Sequence, residues 1–330
     1  MQPMLFENQH PKNRHIMCSV LGKPNAGKST LINHLLGYDL TIVSPKPQTT
    51  RNQFHCVFTV DHTEVILVDT PGLHQAQQEL NIRMNNQAHL ASEGVDVHLI
   101  LIDAQTPDWV QEYKEIHRLM NGVLEKMWVI FTKSDRLSGK EEDKKERLEL
   151  FKKRAQELPG SLERVFLISA QEGTNIHELT GALVDAANPG PHLYPDGSVS
   201  NKNMRFFVSE YIREQAFKLL KEELPYELAV IIEEYKEIPL KEDNSGVGAH
   251  ISASLLVNRP SQRGIVVGKG GAIIKQIGVE ARKKIEALLG AQVHLNLHVK
   301  VSPKWFSNNW VLDEIGLPRS QTSARVWRQK

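Results

Sequence analysis

"HIMCSVLGKPNAGKSTLINHLL" (residues 15–36) is an apolar strand-like run, a glycine turn with a lysine, and then a helix-like run. Within it, Gly22-x-x-x-x-Gly27-Lys28-Ser29 fits the phosphate-loop pattern G-x-x-x-x-G-K-[ST], flanked by strand and helix in the order the mechanism needs. Glycines there let successive backbone N–H groups turn inward around phosphate oxygens, and the helix N-terminus adds its dipole. Lys28 is predicted to reach the β- and γ-phosphates, and Ser29 to offer its hydroxyl to Mg²⁺, within a phosphate-binding run from Asn25 through Ala26, Gly27, Lys28 and Ser29 to Thr30. The loop alone does not distinguish ATP from GTP.

The surrounding pattern places this loop in an α/β domain. Strand candidates are 15–21, 53–60, 64–69, 97–103, 126–132 and 164–169, and helical patterns begin near Lys28, Glu79, Trp109, Lys140 and Asn175. That alternation predicts a mostly parallel sheet with helices on both faces. "NPGPHLYPDGSVSN" (188–201) is rich in proline and glycine and reads as a linker. The expected domains are therefore 1–187, a linker at 188–203, a second domain at 204–318 and a flexible tail at 319–330.

Three later segments specify the base. "ILVDTPGL" (66–73) ends a strand on Asp69, where a carboxylate can hold Mg²⁺ through water, and supplies Gly72, whose N–H can meet a γ-phosphate. "VIFTKSDR" (129–136) places Thr132, Lys133 and Asp135 at another strand end, where the acid can accept guanine's N1–H and N2–H₂ donors. "FLISAQEG" (166–173) supplies Ser169 and Ala170, whose backbone N–H groups can donate to guanine O6. Four boxes in order at strand ends predict a GTP site and argue against a P-loop ATPase or kinase.

Together, "GKPNAGKST", "QTTRN", "DTPG", "TKSD" and "SA" resemble the five boxes of translation-factor-related GTPases, here of the Era type. The base box has Thr132 where asparagine is commoner. "SPKPQTTR" (44–51) resembles that family's first switch, in which a threonine joins Mg²⁺; Thr50 is the expected residue, with Thr49 the alternative. The implied metal set is Ser29, Thr50 and Asp69, and the implied catalytic set is Lys28, Thr50 and Gly72. Where many GTPases carry a water-orienting glutamine, this chain has Leu73; Gln75, Gln77 and Gln78 lie nearby at spacings that single out none of them. Hydrolysis is then expected to rest on phosphate positioning and charge neutralisation. Asn25 corresponds to an asparagine that helps hold K⁺ in related GTPases, so K⁺ joins GTP, GDP and Mg²⁺ among the expected cofactors.

A second glycine-lysine loop, "GIVVGKGGAIIKQIG" (264–278), fails the phosphate-loop template because no Lys-Ser/Thr follows the glycines. Gly268-Lys269-Gly270-Gly271 instead fits the G-x-x-G of a KH domain, which clamps about four nucleotides of backbone. The order around it is helix, two strands, the loop between two helical segments, then "QVHLNLHVKVS" with period-two alternation. The resemblance places this α+β domain in the type II arrangement and so extends over nearly the whole chain. Ile265, Val266, Ile273 and Ile277 are expected to line its groove. Arg259, Arg263, Lys269 and Lys275 are expected to meet RNA alongside the glycines. Arg282, Lys283 and Lys284 are consecutive on a helix and cannot all face one ligand. Trp305, Phe306 and Trp310 are expected in the core.

Charge fits this division. The chain of 330 residues carries a net +1, yet residues 259–330 hold 13 Lys and Arg against four acids, a net +9. A basic quarter in a near-neutral protein points to a polyanionic partner. No apolar run approaches the roughly 20 residues that span a bilayer, and Cys18 and Cys56 are expected as buried thiols of a cytoplasmic protein. The 14 histidines show no zinc spacing. The resemblance implies binding near the 3′ end of 16S ribosomal RNA, a role in 30S subunit assembly and peripheral inner-membrane contact; no DNA partner and a monomer are expected. The competing expectation is a GTP-gated placeholder on RNA whose hydrolysis is incidental.

Overall fold

The computed structural model describes residues 9–44, 46, 50–73, 78–120, 124–239 and 247–319. They group into two compact units, one built on residues up to 41, 50–75 and 84–201, the other on 42–49, 76–83 and 202 onward.

The first unit is a seven-stranded sheet. Its elements are β1 (Arg14–Gly22), α1 (Lys28–Leu36), β2 (Phe54–Val60), β3 (Thr63–Asp69), α2 (Glu79–Leu90, whose residues 79–83 group with the second unit), β4 (Val97–Asp103), α3 (Trp109–Leu119), β5 (Met127–Thr132), α4 (Glu141–Ala155), β6 (Leu162–Leu167), α5 (Ile176–Ala186) and the short β7 (Asn188–Pro189). The strand order is β2-β3-β1-β4-β5-β6, with β7 also beside β1. Strands β3, β1, β4, β5 and β6 run parallel, and β2 returns antiparallel on β3.

Sequence explains these assignments locally. "VHLILID" in β4 is almost continuously apolar because helices cover both faces of a parallel sheet. Helix α3 starts where the Asp108 side chain accepts the Gln111 N–H, and it buries Trp109, Tyr113 and Ile116, spaced on one helical stripe. Those three pack with Ile100, Ile102, Val129 and Phe131 of β4 and β5, and each such burial contributes about 1.5–3 kcal/mol. Sequential strands lie on opposite sides of β1, so the order reverses there, and the crevice at the carboxyl ends of such strands is where ligands bind. Gly22, Asp69, Asp103 and Thr132 all end strands on that edge.

The expected linker is corrected by the structure, because 188–201 is bound to the first unit as a strap. Asn188 and Pro189 pair with His15 and Arg14, Val57 donates its N–H to the Val199 carbonyl, and His55 donates to the Asn201 side chain. Buried Glu64 accepts the N–H groups of Leu193 and Tyr194 at 2.7 and 3.1 Å. Polar, proline-rich composition marked the segment as irregular, and irregular backbone still needs hydrogen-bond partners. Arg319 is the one described residue of the expected tail at 319–330.

The second unit contains α6 (Met204–Leu219), β8 (Ala229–Glu237), β9 (Val247–Val257), α7 (Pro260–Val267), α8 (Ala272–Leu289), β10 (Gln292–Val301) and the short α9 (Asn309–Glu314). Its three-stranded sheet has the order β10-β9-β8, with β10 parallel and β8 antiparallel to β9. Ala249, Ile251, Ala253, Leu255 and Val257 alternate along β9 and pack against Val208 and Ile212 of α6 and Ile277, Ala281 and Ile285 of α8. Trp305 is fully buried and donates its indole N–H to the Glu227 carbonyl, whereas Trp310 is 64% exposed, which corrects its expected place in the core. This unit also gathers two segments assigned from sequence to the first domain. Lys46 donates to the Phe217 and Leu220 carbonyls at the end of α6, and Arg83 bonds Asp313, Asn309 and the Leu317 carbonyl.

Candidate nucleotide and RNA sites

Lys28 opens α1 and is buried, with Nζ donating to the carbonyls of Gly22 and Lys23 at 2.9 and 3.0 Å. Burial lowers its pKa to about 8, against the opposing pull of Asp69 and Glu112. An ammonium desolvated among neutral carbonyls is prepared to meet a polyphosphate, whose charge replaces the lost hydration. Ser29 is also buried, Thr30 is half-buried in the same turn, Ala26 is buried, and Asn25 is exposed at the loop tip with φ 65°.

The DTPG segment presses on this loop. A Cβ on Gly72 would sit 2.8 Å from the Pro24 nitrogen, so only glycine allows the approach. Leu73 donates its N–H to the Gly22 carbonyl at 3.2 Å, and its side chain is 1% exposed in the core beside α3. It therefore cannot orient a water. Gln75 and Gln77 lie outside the described residues, and Gln78 is exposed.

Thr50 donates its hydroxyl to Asp69 Oδ2 at 3.1 Å, and both residues are buried. Thr49 lies outside the described residues. Ser29, Thr50 and Asp69 thus offer two hydroxyls and a carboxylate, the all-oxygen donor chemistry that suits Mg²⁺.

The base boxes are bonded to the phosphate loop and to each other. Thr132 Oγ1 donates to the Ala26 carbonyl at 2.8 Å, so the threonine supplies the cross-link between base loop and phosphate loop. Ser169 Oγ donates to Asp135 Oδ1 at 2.5 Å and orients that carboxylate. The Ser169 N–H goes to the Thr174 carbonyl. Of the two expected donors to guanine O6, that leaves the Ala170 N–H, and the expectation for Ser169 is corrected to a supporting role.

Sequence reading missed Asp103. Its Oδ2 lies 2.8 Å from Lys133 Nζ, and its Oδ1 accepts the Gln105 N–H. The signal was available, since Asp103 ends an apolar strand just as Asp69 does. Lys23 of the phosphate loop is likewise held by Glu115 at 2.7 Å, a pairing with no sequence signature.

In the second unit the GKGG loop joins α7 to α8. Gly268, Gly270 and Gly271 have φ of 73°, 60° and 80°, and a Cβ on Gly268 would lie 2.7 Å from Ile273. Side chains would block both the turn and a close backbone ligand. Beside the loop, Ile274, Lys275, Gly278, Val279 and Arg282 of α8 face Leu295 and Leu297 of β10 across a cleft of about 370 Å³. This corrects the expected lining. Val266 and Ile277 are fully buried in the core, and Ile265 is half-exposed on α7. The helical stripe one position around, at 274, 278 and 282, faces the cleft instead.

Arg282, left out of the expected RNA set, therefore joins Lys275 there. Lys283 pairs with Glu280 and Lys284 with Glu214; Arg282, 4.0 Å from Glu286, is the one cation of the three that lines the cleft. Lys269 is exposed in the loop, and Arg259, the N-cap of α7, and Arg263 within that helix lie outside the cleft lining. Among the described residues, no cluster of three or more His, Cys, Asp or Glu could hold a metal, and no helix is long and apolar enough to cross a membrane.

Comparison with known proteins agrees with both folds. Residues 17–133 match the family model described as 50S ribosome-binding GTPase, and residues 223–306 match the KH domain model. The chain is 37% identical over 300 residues to GTPase Era of Thermotoga maritima, covering 91% of this chain and 96% of that one. It is 36% identical over 299 residues to GTPase Era of Pseudomonas fluorescens, covering 90% and 95%. Among solved structures, Era in complex with MgGDPNP and nucleotides 1506–1542 of 16S ribosomal RNA matches with TM-score 0.84 at 31% identity, covering 93% of this chain and 100% of that chain. An Aquifex aeolicus Era variant bound to GDP and AlF4⁻ matches with TM-score 0.83 at 30% identity, with the same coverage.

Proposed function

Because the chain belongs to the GTPase Era family, we propose that it is a GTP-hydrolysing switch that grips 16S ribosomal RNA near its 3′ end during assembly of the 30S subunit. The observation that carries this reading is the co-occurrence in one chain of a phosphate loop cross-linked to the TKSD segment by the Thr132–Ala26 bond, and a GKGG cleft rimmed by Lys275 and Arg282. GTP and Mg²⁺ are held by the phosphate loop with Ser29, Thr50 and Asp69, and guanine is read by Asp135 and the Ala170 N–H. Lys28 and the Gly72 N–H neutralise charge developing on the γ-phosphate, the stabilisation on which such transfer chiefly depends. Single-turnover GTP hydrolysis, with and without an RNA matching the 16S 3′ end, tests the reading. Stimulation by that RNA and none by a scrambled sequence is expected.

A second reading is favoured by Leu73, buried where a water-orienting residue would stand. On it the chain is a GTP-gated placeholder on RNA, and hydrolysis is indifferent to the oligomer while RNA affinity still depends on nucleotide. Asn25, at the exposed loop tip, is assigned to K⁺; equal turnover in K⁺ and Na⁺ would reject that role. Peripheral inner-membrane contact is a separate proposal, tested by co-sedimentation with anionic vesicles.

A further inference from the structure

Strand β6 is the edge of the large sheet, and among the described residues no strand covers its outer side. The Ile168 N–H goes inward to the Phe131 carbonyl, and Val165 is paired with Val129. Strand alternation therefore turns the N–H and C=O of Val165, and the N–H of Leu167, toward the open side. A cleft of about 700 Å³ runs along this edge, walled by Lys152 of α4 and by Glu178, Gly181 and Asp185 of α5.

Gly181 is the informative residue. It lies in the interior of α5, exposed, where glycine is the poorest helix former except proline. A Cβ there would meet nothing within 4 Å, so no packing inside the unit requires glycine. It lines the cleft, where it leaves the α5 wall without a side chain beside the strand edge.

The charges on the cleft are unequally engaged. Lys152 is paired with Glu149 at 2.7 Å, the Arg164 guanidinium lies over the Trp128 ring at 4.9 Å, and Glu163 accepts the Trp128 N–H. Glu178 and Asp185 take part in no ion pair among the described residues. The α5 side of the groove is therefore acidic, while Arg164, without a carboxylate partner among the described residues, keeps a positive charge on the β6 side.

We propose that this edge is a docking site for an extended, basic polypeptide segment of another protein. The segment adds as a strand along β6, exchanging main-chain hydrogen bonds with Val165, and lays small apolar side chains over Gly181 and Ala182. Its lysines or arginines meet Glu178 and Asp185. Main-chain bonding supplies affinity in such strand addition, and pockets and charges supply selectivity. The site is independent of the nucleotide and RNA sites, so it stands whether or not those readings hold.

The test uses the full chain and two capped ten-residue peptides, one alternating lysine with valine and one alternating glutamate with valine. Hydrogen exchange is followed across 162–167 and 176–186, and affinity by fluorescence anisotropy. Expected is slowed exchange within 162–167 with the basic peptide only, and at least tenfold weaker binding in Gly181→Leu and in the double variant Glu178→Lys, Asp185→Lys. GTP binding checks that each variant is folded, and Leu at 181 raises helix propensity. Equal binding of the acidic peptide, protection elsewhere than at 162–167, or undiminished affinity in both variants would overturn the proposal.

Discussion

The two glycine-lysine loops begin from similar sequences and end as opposite devices. In GKPNAGKST the lysine is enclosed, bonded to carbonyls of its own loop, and Gly72 closes against Pro24. In GKGG the lysine is exposed, Gly270 has open space where a Cβ would be, and the adjoining cleft has apolar walls. An enclosed cation grips the compact end of a polyphosphate. An open loop lets a polymer's backbone run past while its bases lie against apolar surface. What separates the two is the burial of the lysine, which glycine spacing alone does not reveal.

The largest break in this contrast is expected from Lys28→Ala. Losing one member of a buried, charge-assisted contact costs about 2–5 kcal/mol, so GTP affinity measured by calorimetry should fall on the order of 10²- to 10³-fold. RNA binding by the nucleotide-free protein should be unchanged. Gly270→Asp reverses the test: aspartate tolerates the positive φ, and its charge repels phosphate. RNA affinity should fall about tenfold or more in filter binding, a loss of roughly 1.4 kcal/mol, with GTP hydrolysis in the absence of RNA unaltered.

A pH series sharpens the comparison further. Burial lowers the Lys28 pKa to about 8, so the ammonium that phosphate needs is lost as pH rises through that value. GTP affinity should drop about tenfold between pH 7 and pH 9, with proton uptake on binding visible as a buffer-dependent calorimetric heat. The sign for the free protein is opposite. Its folded pKa lies below the unfolded 10.5, so the cost of burying the charge is present below about 8 and relieved as pH climbs from 8 toward 10.5. The smallest effect belongs to Arg282→Ala, expected to weaken RNA binding a few-fold and to reduce the slope of log affinity against log salt by about one. Lys283→Ala, outside the cleft lining, should leave that slope alone.

Much of both sites was legible from residues in a row. The phosphate loop, Asp69, Gly72, Thr132, Asp135 and the GKGG turn follow from short-range patterns, because each box is a strand end or turn whose local geometry fixes its residue types. Arg282 was not legible. Its neighbours Lys283 and Lys284 carry the same charge, and only the rotation of α8 on the sheet, with Ile277, Ala281 and Ile285 inward, decides which cation reaches the cleft. Nor was Ser169's commitment to Thr174 and Asp135 visible, since a backbone donor looks the same in sequence whether or not it is engaged.

Sequence by itself determined that this chain pairs a guanine-nucleotide fold with a KH fold, because hydrophobic period and glycine placement act over a few residues and admit few solutions. Tertiary structure alone decided that 188–201 is a strap on the first sheet, that Asp103 holds Lys133, and that a mid-helix glycine lines a cleft beside β6. Those outcomes join residues that are distant along the chain or lie on different elements. Such contacts are selected by packing and by the need to satisfy buried polar groups, which no local pattern encodes.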